Sequence, residues 1–239
     1  HPQHRRQRQM CIRDRLRGLL SETKNLKFIV NYRSNKILDY FINGKEVRRY
    51  TGLGTATPDH VIRVKPFPLV ITPKPKSTLK DFKKLAEKCF RNYRKKYVKY
   101  FNTNRKKVKD KKTMLDTSPR VILVQNVGLF SVGDSLGAAK IAGDLTETNA
   151  RVISSVEETS KYKFIPEKDL FDVEYWSLEQ AKIKKEKKAL QGNVVVITGS
   201  FGAIGSATYK LFKSYGAEVV LLDYNLQKVK EMKSKVKDL

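Results

Sequence analysis

Apolar and polar positions along the 239-residue chain fall into stretches of different period. Across residues 26–50, LKFIVNYRSNKILDYFINGKEVRRY, short apolar runs alternate with Asn-Lys and Asn-Gly pairs, which predicts strands joined by hairpin turns. Residues 51–75 are rich in Gly, Pro and Thr and read as loop, with a short extended piece at 67–72. From Thr78 the residues Leu79, Phe82, Leu85, Ala86, Cys89, Phe90, Tyr93, Tyr97 and Phe101 recur at steps of three and four, one face of an amphipathic helix. Residues 119–130, PRVILVQNVGLF, read as a buried strand and a turn. A second helical pattern follows over 135–158, carried by Leu136, Ala139, Ile141, Ala142, Leu145, Val152, Ile153 and Val156. The stretch 161–190 is polar and charged with one aromatic knot at 170–176, and the sequence turns sharply apolar after a boundary near 188–192.

Charge changes this picture less than its size suggests. Fifty Lys and Arg against 24 Asp and Glu give a net charge of +26, which invites a nucleic-acid reading because clustered cations release counterions from a phosphate backbone. Between Lys74 and Lys112 there are seventeen basic and three acidic residues. They fall opposite the apolar stripe, the ordinary place for solvated charge. Lys outnumbers Arg 35 to 15, whereas base reading and bidentate phosphate grips favour Arg. Tyr93 and Tyr97 lie on the apolar stripe and are expected to pack rather than stack bases, so no nucleic-acid partner is expected. No apolar run approaches the ~20 residues of a membrane helix, and two Cys cannot build a disulfide framework. A soluble protein of a reducing compartment, the cytoplasm, with no membrane partner is the expectation.

The first fourteen residues, HPQHRRQRQMCIRD, show no apolar period, no signal-peptide core and no cleavage site, and are expected to form no helix. The run from Met10 to Asp14 resembles the in-frame translation of a transposon end used in sequencing libraries, which makes residues 1–14 an expected non-native read-through, with a genuine disordered basic arm as the alternative. Without them the charge falls to +23. The histidines are His1, His4 and His60. A three-histidine metal site would need both extreme N-terminal ones, so no metal site is expected. His60, beside Asp59, is a candidate ligand only if further sequence completes the site, and otherwise orders its loop by hydrogen bonding.

The chemistry-bearing pattern lies in the last fifty residues. Residues 193–197 form a short β-branched strand, and Thr198-Gly199-Ser200-Phe201-Gly202-Ala203-Ile204-Gly205 opens a helix running to about Tyr215. A second apolar strand over 219–222 ends in Asp223, 24 residues after Gly199. Strand, glycine loop, helix, strand and acid follow in the order a dinucleotide site requires. Glycines admit the pyrophosphate to the backbone, and the helix start favours its charge. Asp223 is placed to accept the ribose 2′-hydroxyl and to repel a 2′-phosphate, so NAD is the expected cofactor, held by Thr198 through Gly205 and by Asp223.

TGSFGAIG resembles the short-chain dehydrogenase signature TGxxxGxG, matched at Thr198, Gly199 and Gly205, with Ala203 in place of its middle glycine. That family uses a Ser and a Tyr-x-x-x-Lys pair far past the glycine loop. Tyr209-Lys213 and Tyr224-Lys228 have the spacing but sit on or beside the cofactor unit, so neither is expected to be catalytic. With GLGTATPDHVIRVKP (52–66), MLDTSPRVILVQNVGLFSVGDS (114–135) and EKDLFDVEYWSLEQAK (167–182) preceding that loop, residues 25–239 resemble bifunctional class II aldolase/short-chain dehydrogenase proteins of the rhamnulose-phosphate aldolase/lactaldehyde dehydrogenase type. The resemblance implies an α/β chain: the later part of a class II aldolase-like domain (15–160), a linker (161–190) and the first βαβ unit of a truncated Rossmann domain (191–239). It implies an internal fragment of an enzyme that cleaves a sugar phosphate with Zn²⁺ and oxidises the aldehyde product with NAD, and that is a homo-oligomer when full length. Zinc ligands of that family lie upstream of these residues, and in a second copy of its His-Gly motif Val127 takes the histidine's place. No catalytic residue of either half is expected here. A stand-alone dehydrogenase with an N-terminal extension and a basic nucleic-acid module remain the alternatives.

Overall fold

Four consecutive apolar residues at 121–124 have no polar side to turn to water, the pattern of a strand covered on both faces. In the computed structural model, which describes residues 2–21, 27–183 and 188–235, they form β3 (Val121–Val124). β3 lies inside a four-stranded sheet with β1 (Ile29–Arg33), β2 (Leu69–Ile71) and β4 (Gly128–Gly133), in the order β1-β4-β3-β2. β4 runs antiparallel to both neighbours, with Ile122 opposite Phe130 and Tyr32 opposite Phe130, whereas β2 is parallel to β3, with Val70 opposite Leu123.

Because successive side chains alternate across a strand, the sheet divides two cores. Ile122, Val124, Phe130, Leu69 and Ile71 face the first, closed by α1 (Pro2–Ser21), α5 (Leu79–Arg105) and α7 (Glu167–Glu174) through Leu16, Phe90, Tyr97 and Phe171. Val121, Leu123, Leu129 and Val70 face the second, closed by α2 (Lys36–Asn43), α3 (Val47–Tyr50), α4 (Val61–Val64) and α6 (Leu136–Thr159). The two long helices begin where the sequence places them. Thr78 caps α5 in a reciprocal box with Asp81, and Ser135 caps α6 by accepting the amide of Ala138. A short α8 (Ser177–Ile183) follows α7.

The chain divides into two compact units, His1–Lys185 and Glu186–Leu239. The second holds β5 (Val194–Thr198), α9 (Ala203–Ser214), β6 (Glu218–Leu222) and α10 (Leu226–Lys235). β5 and β6 pair in parallel, from Val194 opposite Glu218 to Thr198 opposite Leu222. Ile197 is buried, while Val194, Val196, Val220 and Leu222 stay exposed.

Four expectations are corrected. Within the expected helix-free stretch 1–14, residues 2–14 enter α1, whose Ile12, Leu16, Leu19 and Leu20 are spaced for one face and buried in the first core. Residues 35–50 form helices rather than hairpins, because the Asn of the Asn-Lys pair is a cap: Asn35 Oδ1 accepts the amide of Leu38, and Leu38, Phe41 and Ile42 then share a buried face. The loop expected over 51–75 contains α4 and a 3₁₀ turn at Pro58–His60, besides β2 in the expected extended piece. The linker expected over 161–190 contributes α7, since Leu170, Phe171 and Tyr175 are buried under α5 and belong to the first unit. Most of the basic run 182–188 lies outside the described residues.

Candidate functional site

The glycine loop joins β5 to α9. Gly199 has a φ of 59°, left-handed backbone that glycine takes without steric cost. A Cβ on Gly205 would stand 2.3 Å from the carbonyl oxygen of Gly199, so the third glycine is what lets α9 rest against the loop. The first amide satisfied within the helix is Ser206, bonded to Gly202 O at 2.9 Å, which leaves the amides of Ala203, Ile204 and Gly205 as the donors of a helix start. Ala203 stands at the first helical position and is exposed, and its methyl group lies outside the helix–strand contact. Ser200 is buried, its amide and hydroxyl both bonded to the carbonyl of Leu222, which ties the loop to the end of β6.

Asp223 follows Leu222, as its position in the sequence requires. Its Oδ2 accepts the amide of Phe201 at 2.9 Å and its Oδ1 the amide of Asn225 at 3.0 Å. These two bonds, the Phe201 one first, hold its carboxyl below the usual carboxylate range. An ionised carboxylate offers about four acceptor positions, and with the Tyr224 amide also bonding to it, capacity remains for one hydroxyl. The residues therefore fit the adenosine-diphosphate half of a dinucleotide: a helix start for the pyrophosphate and a fixed acid for the ribose. Thr198, Ile204 and Gly202 are exposed at the same loop. The two Tyr-x-x-x-Lys pairs are not so placed, Lys213 pairing with Glu218 at 3.7 Å and Tyr224 standing 94% exposed.

In the first unit His60 behaves as a loop residue. Its Nδ1 lies 3.1 Å from Asn149 Oδ1, which also accepts the amide of Ala56 at 3.0 Å. Among the described residues no group of three His, Cys, Asp or Glu is arranged to hold a metal ion. Val127 packs against the first core at the β3–β4 turn, and its carbonyl accepts the hydroxyl of Tyr32 at 2.9 Å. Tyr93, Tyr97 and Tyr100 are buried and cannot offer faces to bases.

One cluster has no local signature in the sequence. Arg120 forks onto Asp116, and the ammonium of Lys65 donates to the main-chain oxygen of Asp116 and lies 3.8 Å from the centre of the Tyr97 ring. Tyr97 Oη lies 2.7 Å from Glu174 Oε1 and 2.8 Å from Tyr175 Oη. Burial works to raise the Asp116 carboxyl, but Arg120 and Lys65 outweigh it and hold it near 2. Desolvation drives the Lys65 amine down and the Glu174 carboxyl up, each toward about 7. An acid set among the aromatics of 170–176 was the one sequence sign of it.

Residues 7–183 match the model of the family "Aldolase class II, second domain". The chain belongs to this class II aldolase family. The aldolase-family chain is 28% identical over 228 residues to the uncharacterized oxidoreductase YuxG of Bacillus subtilis, covering 93% of this chain and 32% of that protein. It thus spans about a third of that relative's length. Among solved structures it is similar to YgbL, a candidate aldolase/epimerase/decarboxylase, from Klebsiella pneumoniae (TM-score 0.45, 13% identity, 66% of this chain and 62% of that one). YgbL from Escherichia coli is comparable (TM-score 0.44, 12% identity, 68% and 65%). Among the described residues no helix of the class II aldolase-family chain is long and apolar enough to cross a membrane.

Proposed function

We propose that this chain is part of a longer bifunctional cytoplasmic enzyme, homo-oligomeric when whole, that couples sugar-phosphate aldol cleavage of the rhamnulose-1-phosphate kind to NAD-dependent oxidation of the small aldehyde released. Within it the class II aldolase-family residues of this chain belong to a domain whose zinc ligands lie outside them, and residues 191–239 supply the first βαβ of a Rossmann nucleotide domain. The observation that carries the dehydrogenase part is Asp223 at the end of β6, tethered to the Phe201 amide of the glycine loop. The oxidoreductase name of the relative and the resemblance of TGSFGAIG support it.

NAD, when bound, supplies the hydride acceptor. The residues of this chain bind and orient it. The amides of Ala203, Ile204 and Gly205 take pyrophosphate charge at the helix start. Gly199 keeps a side chain out of the approach, Gly205 lets α9 rest against the loop, and Asp223 accepts a ribose hydroxyl. Proton transfer to or from substrate falls to residues outside this chain.

Calorimetric titration of the chain with ADP-ribose, the half of NAD that this unit would hold, tests the reading. Saturable one-to-one binding is expected, while no heat of binding up to millimolar ligand would contradict it.

A further inference from the structure

The four-stranded sheet of the first unit ends on β2, which pairs with β3 on one side only. Backbone groups of a strand point alternately to its two sides, and the carbonyl of Ile71 accepts the amide of Gln125, just past β3. The N–H and C=O of Val70 therefore face the free edge, and so does the carbonyl of Pro68, which has no N–H to offer. Among the described residues neither of these Val70 groups has a partner, although the residue is only 7% exposed. Native chains seldom leave the backbone of a buried residue so.

A cavity of about 210 Å³ runs along this edge. Leu69 and Val70 form its floor, Arg48 and Gly52 line it from the α3 side of the sheet, and Asn92 and Lys96 line it from α5 on the other side. The two cations stand at opposite ends of the strand. The Arg48 guanidinium donates to Thr72 Oγ1 at 3.2 Å, just past β2, and the Lys96 amine lies 4.0 Å from the centre of the Phe67 ring, just before it. No acidic residue lines the cavity, and among the described residues neither cation forms an ion pair.

We propose that this edge takes an extended acidic peptide segment of a partner protein, which joins the sheet as a fifth strand beside β2. Its main chain bonds to the amide and carbonyl of Val70 and to the carbonyl of Pro68, and two of its carboxylates reach Arg48 and Lys96. In strand addition the main-chain bonds give affinity and the side-chain sites give specificity. Pro68 and the three-residue length of β2 keep the main-chain bonds few, so the charged ends decide which strands are accepted. From Phe67 to Thr72 is five steps, about 17 Å at roughly 3.3 Å per residue. An odd number of steps puts two side chains on opposite faces of a strand, as the two cations are.

The test uses the intact chain and the hexapeptide acetyl-Glu-Val-Thr-Val-Thr-Glu-amide, whose acids are five positions apart. Saturable binding below roughly 1 mM is expected, with amide exchange at Val70 slowed by about tenfold or more at saturation. Pairing uses alternate amides of the added strand, so N-methylating one alternate set should weaken binding by about tenfold or more, and the other set by less than about twofold. The double replacement Arg48→Gln and Lys96→Gln should also weaken it by about tenfold. No binding at 1 mM peptide, unchanged exchange at Val70, or equal losses from the two methylated sets would overturn the proposal.

Discussion

The carboxylate of Asp223 accepts the backbone amide of Phe201 across 2.9 Å, joining the end of β6 to the glycine loop that follows β5. The bond fixes the acid relative to the helix start before any ligand arrives. Asp223→Ala removes the acceptor, and amide hydrogen exchange at Phe201 should speed by about tenfold as one charge-assisted bond is lost. Unchanged exchange would show that the tether does not order the loop.

Gly205 and Gly137 offer a contrast within one residue type. A Cβ at Gly205 meets Gly199 O at 2.3 Å, whereas a Cβ at Gly137 meets nothing within 4 Å. Gly205→Ala should destabilise residues 194–222 by about 1–3 kcal/mol, as overpacking does, seen as faster exchange confined to that unit. Gly137→Ala should be neutral or stabilising by less than about 1 kcal/mol in thermal melts.

Glu174 makes stability depend on pH with a definite sign. Its folded pKa is raised, so between about 4.5 and 7 the folded chain binds more protons than the unfolded one and stability falls as pH rises. Lys65 is lowered, so from about 7 to 10.5 the unfolded chain binds more protons and stability rises again. Denaturant melts should therefore show a minimum near pH 7. Glu174→Gln, neutral throughout, should gain on the wild type as pH climbs from 5 to 8. A constant difference between the two across that range would count against a buried titrating carboxyl.

Val196 and Val220 are 57% and 46% exposed on a two-stranded parallel sheet. Parallel pairs are ordinarily covered on both faces, and an open apolar face invites association. Light scattering of the chain at micromolar concentration should report self-association that the double replacement Val196→Thr and Val220→Thr reduces. Identical scattering would place the associating surface elsewhere.

The helices α5 and α6 were legible because period and cap agree: Thr78 with Asp81, and Ser135, each precede a stripe at steps of three and four. The βαβ order was legible for a similar reason, since strand, glycines, helix and acid are local signals in sequence. Asn35 misled because the residue that makes a turn also caps a helix, and only the side chain's bond to Leu38 N separates the two. In α1 the arginines obscured four apolar residues, and in 161–190 the surrounding charge made a linker of the aromatic knot that holds Leu170, Phe171 and Tyr175. Of the Lys65 cluster only the acid among the aromatics of 170–176 showed in the sequence. The cluster gathers residues from α4, from the approach to β3, from α5 and from the end of α7, which are up to 109 positions apart and carry no shared pattern.

The central claim, a nucleotide unit that reads the ribose through Asp223, is met most directly by one paired titration. The chain is titrated with ADP-ribose and with its 2′-phosphate, in the wild type and in Asp223→Ala. The account predicts that the unphosphorylated ligand binds the wild type at least about tenfold more tightly, because the carboxylate repels the 2′-phosphate, and that the ratio collapses toward one in the variant. Equal affinity of the wild type for both ligands, or preference for the 2′-phosphate, would contradict it.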